Sequence, residues 1–129
     1  VQSGNDATVV TYGATVRQAQ DAAAKIEAET GKTVEIIDLR TILPYDKEAI
    51  AKSVKKTGKV LVLHEDSLTQ GFCGEIAAFI SENCFEFLDA PVFRLGAADT
   101  PVPNHHHLEF AVLPSKDSVY RKLSDLIAY

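Results

Sequence analysis

The stretch "VLHEDSLTQGFCGEI" (62–76) brings an imidazole, carboxylates, a glycine turn and a thiol into one short segment. His64 and Glu65 follow the apolar run "KVLVL" and so fall at the carboxyl end of a strand, the edge where open α/β sheets bind ligands. A histidine there can donate, accept or titrate near neutral pH, and a neighbouring carboxylate can orient it. Side chains alternate along a strand, so Glu65 reads as a cap on the following turn rather than as the partner of His64. Gly71 and Gly74 frame the start of a helix whose free N–H groups could take an anion. A tight turn needing glycine dihedrals explains Gly71 equally well.

The remaining chemistry-bearing residues point away from a self-sufficient active site. Cys73 shares a helical face with Ile76, Ala77, Ile80 and Cys84, which makes both cysteines core residues. They lack a Cys-x-x-Cys spacing and fit a reducing compartment. His105, His106 and His107 are consecutive, so on an extended chain they point in alternate directions and cannot all meet one metal ion. Only Gly13 follows the first strand where a dinucleotide fold needs G-x-G-x-x-G, and neither a P-loop nor a G-x-S-x-G elbow occurs. "TGK" (57–59) precedes a strand, not a helix, and cannot cradle phosphate. No catalytic, cofactor-binding or metal-ligating residue is therefore assigned within the chain.

The elements that must position these residues are legible from periodicity. Short β-branched runs at 7–12, 33–39, 59–64 and 91–95 read as buried strands. A stripe of Val16, Ala19, Ala23 and Ile26 predicts a helix over 15–30, closed by Gly31. Asp46 caps a second helix running to Gly58, a third covers about 73–87, and Val119, Leu123, Leu126 and Ile127 mark a last one from about Ser115. Strand and helix alternate, the pattern of an α/β fold with a mostly parallel sheet covered on both faces. The 129 residues form one domain, and the absence of any methionine fits a piece of a longer chain.

A net charge of −5 argues against a nucleic-acid partner, since phosphate backbones demand clustered Lys and Arg. The one dense basic segment, 52–59, is a helix end where Lys complements the dipole. An acidic surface suits a basic protein partner instead. No apolar run approaches the ~20 residues that span a bilayer, and no targeting segment is recognisable.

Read in order, "IIDLRTILPYD" (36–46), "SVKKTGKVLVLHE" (53–65), "LTQGFCGEIA" (68–77), "FLDAPVFRLGAADTPVP" (87–103) and "LPSKDSVYRKLSDLIAY" (113–129) span almost the whole chain. This series resembles the C-terminal, transketolase-like domain of the β subunit of thiamine-diphosphate-dependent 2-oxoacid dehydrogenases. "HExxLTxGF" and the terminal tyrosine look most like the branched-chain type. Gln70 departs from a glycine common at its position, and "NHHHLEF" is an unusual version of its loop.

The resemblance implies a three-layer α/β/α sandwich around a mixed five-stranded sheet, the fifth strand falling between residues 101 and 113. It implies oxidative decarboxylation of a branched-chain 2-oxoacid with acyl transfer to lipoamide. Thiamine diphosphate and magnesium would be held by domains outside these residues. The chain's own tasks would be subunit assembly and docking of a lipoyl acyltransferase through its basic subunit-binding domain. His64, Glu65, Gly71 and Phe72 are the interface or domain-edge candidates, and Asp89 and Tyr129 the docking candidates. An exposed interface patch would let the isolated domain form a homodimer. Localisation would be cytoplasmic in a bacterium and in the mitochondrial matrix in a eukaryote. Two rival readings are the third domain of a transketolase-type enzyme and a stand-alone α/β module binding a protein or anion at His64 and Gly71.

Overall fold

A computed structural model of the chain describes residues 2–99 and 112–129. Strands β1 (Ala7–Thr11), β2 (Val34–Asp38), β3 (Val60–Ser67) and β4 (Phe93–Ala97) alternate with helices α1 (Thr15–Thr30), α2 (Lys47–Thr57), α3 (Phe72–Cys84) and α4 (Lys116–Ala128). Local chemistry sets the helix boundaries. Gly31 and Gly58 end α1 and α2 in the left-handed region, at φ 75° and 73°. Asp46 caps α2 by accepting the Ala49 N–H at 3.0 Å, and Ser115 and Ser118 form a reciprocal capping box at the start of α4.

The strands lie in the order β2-β1-β3-β4, and every strand pair is parallel. The β-branched runs need this arrangement, because parallel strands are buried on both faces. Ala7, Val9, Leu61 and Leu63 pack against Ala19, Ile26, Val119 and Leu123, which places α1 and α4 over one face. Val10, Val60 and Val62 pack against Ile50, Val54, Ile76 and Ile80, which places α2 and α3 over the other. Cys73 and Cys84 lie in this second core.

Four strands are present among the described residues, and the expected fifth falls almost wholly in the stretch outside them. The four described strands pair only in parallel, and the antiparallel contact beside them is an isolated bridge from Gln2 to Ile36 along the outer edge of β2. β3 runs three residues past its expected end at His64, and β4 occupies 93–97 rather than 91–95. The third helix stops at Cys84 and tightens into a 3-10 turn, Phe85–Phe87, instead of continuing to 87.

Candidate functional site

β1 feeds α1 on one face of the sheet, whereas its neighbour β3 feeds α3 on the other. The chain therefore diverges between the carboxyl ends of β1 and β3, a topological switch point. His64 stands there, fully buried.

β3 and β4 run in register through Leu63 and Leu95, and pairing resumes at Ser67 and Ala97. Residues 64–66 thus oppose Gly96 alone, a bulge in β3. Bulges re-aim side chains next to functional edges, and this one turns the His64 ring between two glycines. A Cβ at Gly96 would lie 2.9 Å from His64 Nε2, and one at Gly71 would lie 2.6 Å from Cε1 and 2.0 Å from the Ser67 carbonyl oxygen. Gly71 has φ −78° and ψ 164°, an ordinary extended conformation. The turn reading of Gly71 is therefore corrected: close approach, not dihedral freedom, demands glycine there. The left-handed residue of this loop is Gln70, at φ 63°.

The Tyr12 hydroxyl lies 3.1 Å from His64 Nδ1, and the two rings meet edge to face at 6.2 Å. Nε2 is buried without a hydrogen-bond partner among the described residues. Burial pushes the His64 pKa down; the Asp66 carboxylate opposes this and the Arg94 guanidinium reinforces it. The Ser67 backbone adds a small upward pull without reaching hydrogen-bond geometry at Nε2. Burial likewise pushes the Cys73 thiol up to about 12, so it is no nucleophile near neutral pH. Glu65 sits exposed within the strand, and the carboxylate that turns back onto the backbone is Asp66, which accepts the Ser67 N–H at 2.8 Å. The expected cap is thus one residue further on.

Phe72, the first residue of α3, extends the edge. Its ring contacts Tyr12 at 6.3 Å and Tyr45 at 5.4 Å, and Tyr45 continues to Phe79 at 6.1 Å. This edge-to-face series links the switch point to the loop after β2, where Leu43 is 90% exposed and Ile42 40%. His64, Gly71 and Phe72 are thus brought together, with Glu65 at their rim.

Asp89 and Tyr129 lie at the opposite end of the sheet. The Asp89 N–H donates to the Gly58 carbonyl at 2.8 Å, just before β3 begins. Tyr129, 67% exposed, packs edge to face on Phe93, the first residue of β4, at 6.3 Å. Exposed Phe85 and Phe87 leave the end of α3 on this side. His105, His106 and His107 lie outside the described residues.

The sequence reading missed Tyr12, Asp66, Arg94 and Gly96 as neighbours of His64. Tyr12 ends the first apolar run, but nothing local says that β1 and β3 are adjacent. A cleft of about 590 Å³ lies elsewhere, beside β2 and α2, lined by Gln2, Glu35, Lys52, Ser53 and Lys56. The enclosed His64 ring can hold geometry but cannot reach a substrate.

Among the described residues no three His, Cys, Asp or Glu side chains converge to hold a metal ion. The start of α3 is lined by glycine and phenylalanine and overlain by its own loop. These residues do not fit thiamine diphosphate or its magnesium.

Residues 1–119 match the family described as transketolase, C-terminal domain. The chain is 46% identical over 114 residues to the 2-oxoisovalerate dehydrogenase subunit beta of Pseudomonas aeruginosa, covering 88% of this chain and 31% of that protein. It is 40% identical over 120 residues to a mitochondrial pyruvate dehydrogenase E1 component subunit beta-1 of Arabidopsis thaliana, covering 93% and 33%. A split-gene transketolase, solved as an inactive beta4 tetramer, superposes with a TM-score of 0.85 at 25% identity, covering 98% of this chain and 41% of that one. The chain thus spans about a third of the length of the curated relatives it matches.

Proposed function

Because the chain belongs to the transketolase C-terminal domain family, we propose that it is the C-terminal domain of the decarboxylating component of a branched-chain 2-oxoacid dehydrogenase. The observation that carries this reading is the 46% identity to a 2-oxoisovalerate dehydrogenase β subunit, against 25% to a transketolase of nearly the same backbone. Fold alone does not separate these activities, whereas sequence does. In such an enzyme thiamine diphosphate supplies the electron sink for decarboxylation, and the protein supplies binding and orientation. Cofactor and magnesium belong to other domains, and this chain contributes assembly.

The two ends of the sheet divide that work. The His64, Glu65, Gly71 and Phe72 edge, with exposed Ile42 and Leu43 beside it, meets the neighbouring domain or subunit. Its shape is set by rigid contacts rather than by titrating groups open to solvent, which suits packing over chemistry. The Asp89 and Tyr129 end remains free for the lipoyl acyltransferase. An exposed carboxylate at the same end of the sheet as exposed Tyr129 and Phe85 suits a basic subunit-binding domain, with charge setting on-rate and partner choice.

The test is turnover by the full-length protein with its partner subunit, thiamine diphosphate and magnesium. Decarboxylation of 2-oxoisovalerate in preference to pyruvate is expected, and no turnover by the 129-residue domain alone. Ketol transfer between sugar phosphates by the full-length protein, or decarboxylation by the domain alone, would overturn the assignment.

A further inference from the structure

We propose that His64 is a pH-gated pin: neutral, it locks the strap formed by residues 67–70 against the ends of β1 and β4, and protonation releases the strap. The strap connects β3 to α3 across the switch point and is tied mainly to β4. The Leu68 N–H donates to the Ala97 carbonyl at 3.1 Å, and Arg94 Nη1 donates to the Leu68 carbonyl at 3.1 Å. The Thr69 N–H donates to Asp99 Oδ1 at 3.1 Å, and the Thr69 hydroxyl bonds the other oxygen of that carboxylate. Beneath these polar ties sits the imidazole, in contact range of the glycines that close the strap and oppose the bulge.

The neutral ring suits this seat and the cation does not. With Nδ1–H donating to Tyr12 Oη, the neutral ring leaves one unpaired acceptor at Nε2. The protonated ring places a charge at the same point with only the Ser67 backbone to favour it, a costlier arrangement away from water. The groups acting on it are few: Asp66 on β3, Arg94 on β4, the Ser67 backbone and, just after β1, the Tyr12 hydroxyl at Nδ1, with Cys73 on α3 acting in turn on Tyr12. Tyr12 and Cys73 both have pKa values raised by burial, so neither offers a charge near neutral pH. Relief requires the strap to move so that water or the Ser67 carbonyl can meet Nε2. Gln70, held at φ 63° within the strap, loses its constraint by the same movement. The consequence for assembly, acid loosening of the edge that meets the neighbouring domain, rests on the function proposed above; the strap movement does not.

The test is hydrogen exchange on the full-length protein between about pH 7.5 and 5.5, corrected for intrinsic rates, with an NMR titration of His64 in the same protein. Protection of residues 67–72 is expected to fall several-fold on acidification while α1 and α4 keep theirs. The midpoint should coincide with the His64 titration and lie below the ordinary value of about 6.5. In His64→Asn, which keeps a partner for Tyr12 but cannot titrate, the response should vanish. Strap protection independent of pH, a midpoint apart from that of His64, or an unchanged response in a folded H64N protein would each overturn the proposal. The first two outcomes need no variant, and none depends on which substrate the enzyme takes.

Discussion

One added methyl group at position 71 would sit 2.0 Å from a carbonyl oxygen and 2.6 Å from the His64 ring. Backbone on one side and a wedged imidazole on the other leave it nowhere to go. Gly71→Ala is therefore expected to destabilise the domain by about 2–3 kcal/mol through overpacking, read by urea unfolding. Gly31→Ala is the control: φ is 75°, but nothing lies within 4 Å of the added carbon, so only the left-handed penalty of about 1 kcal/mol applies. If Gly31→Ala proves the costlier change, the strap yields freely and the wedge is not rigid. This is also where sequence reasoning fell short. The neighbours that make Gly71 obligatory include His64 and, through its ring, Gly96, and a local spacing rule sees only the turn. The position of His64 at a strand end was legible; its burial between two glycines was not, because that depends on the bulge opposite β4.

Helices and strands were easier to read, since each is declared by its own periodicity. Ala19, Ala23 and Ile26 of the first stripe are buried as the sequence places them while Val16 is only half-buried, and the caps Gly31, Asp46 and Gly58 fall where expected. Misplacement occurred where tertiary pairing decides, at the end of β3, the start of β4 and the tightened end of α3. Between β2 and α2 a buried polar relay adds a constraint that no pattern announced. Thr8 Oγ1 lies 2.7 Å from both Ser53 Oγ and Thr57 Oγ1, and Ser53 donates onward to Glu35. Glu35 also accepts Lys56 Nζ at 2.5 Å. Burial alone would push the Glu35 pKa up, but the bonds from Lys56 and Ser53 outweigh it, so the carboxyl is held below its ordinary 4.5. A depressed folded-state pKa means stability that is present above the unfolded value and lost as pH falls through the folded one. Glu35→Gln should thus cost about 1–2 kcal/mol at pH 7, and its deficit should shrink as pH falls through the depressed folded-state pKa, read by urea unfolding at neutral and acid pH. An equal deficit at both would show that Glu35 acts through packing alone.

At the scale of the molecule, strand and helix alternation announced the α/β layers, while the order β2-β1-β3-β4 did not follow from any segment. That order puts the edge candidates at one end of the sheet and the docking candidates at the other. Binding to a lipoyl acyltransferase should accordingly weaken about tenfold in Asp89→Ala and fall with added salt, measured by calorimetry at two ionic strengths. Undiminished, salt-independent binding would move the docking surface elsewhere. His64→Asn should leave this docking unchanged, because its edge faces the other way. The parallel connectivity has a further effect on any approaching partner. Each of the four described helices runs back against the strands, so Thr30, Thr57, Cys84 and Ala128 all bring their carbonyl-rich ends to the Asp89 side. With roughly half a negative charge at each such end, the backbone itself lends that side on the order of two negative charges and the His64 side their positive counterpart. Lys55 and Lys56 in the last turn of α2, and Lys59, which donates to the Ile127 carbonyl, offset part of that charge, so the pull on a basic partner is set jointly by backbone and side chains. Acid that neutralises every carboxylate would leave this polarity in place.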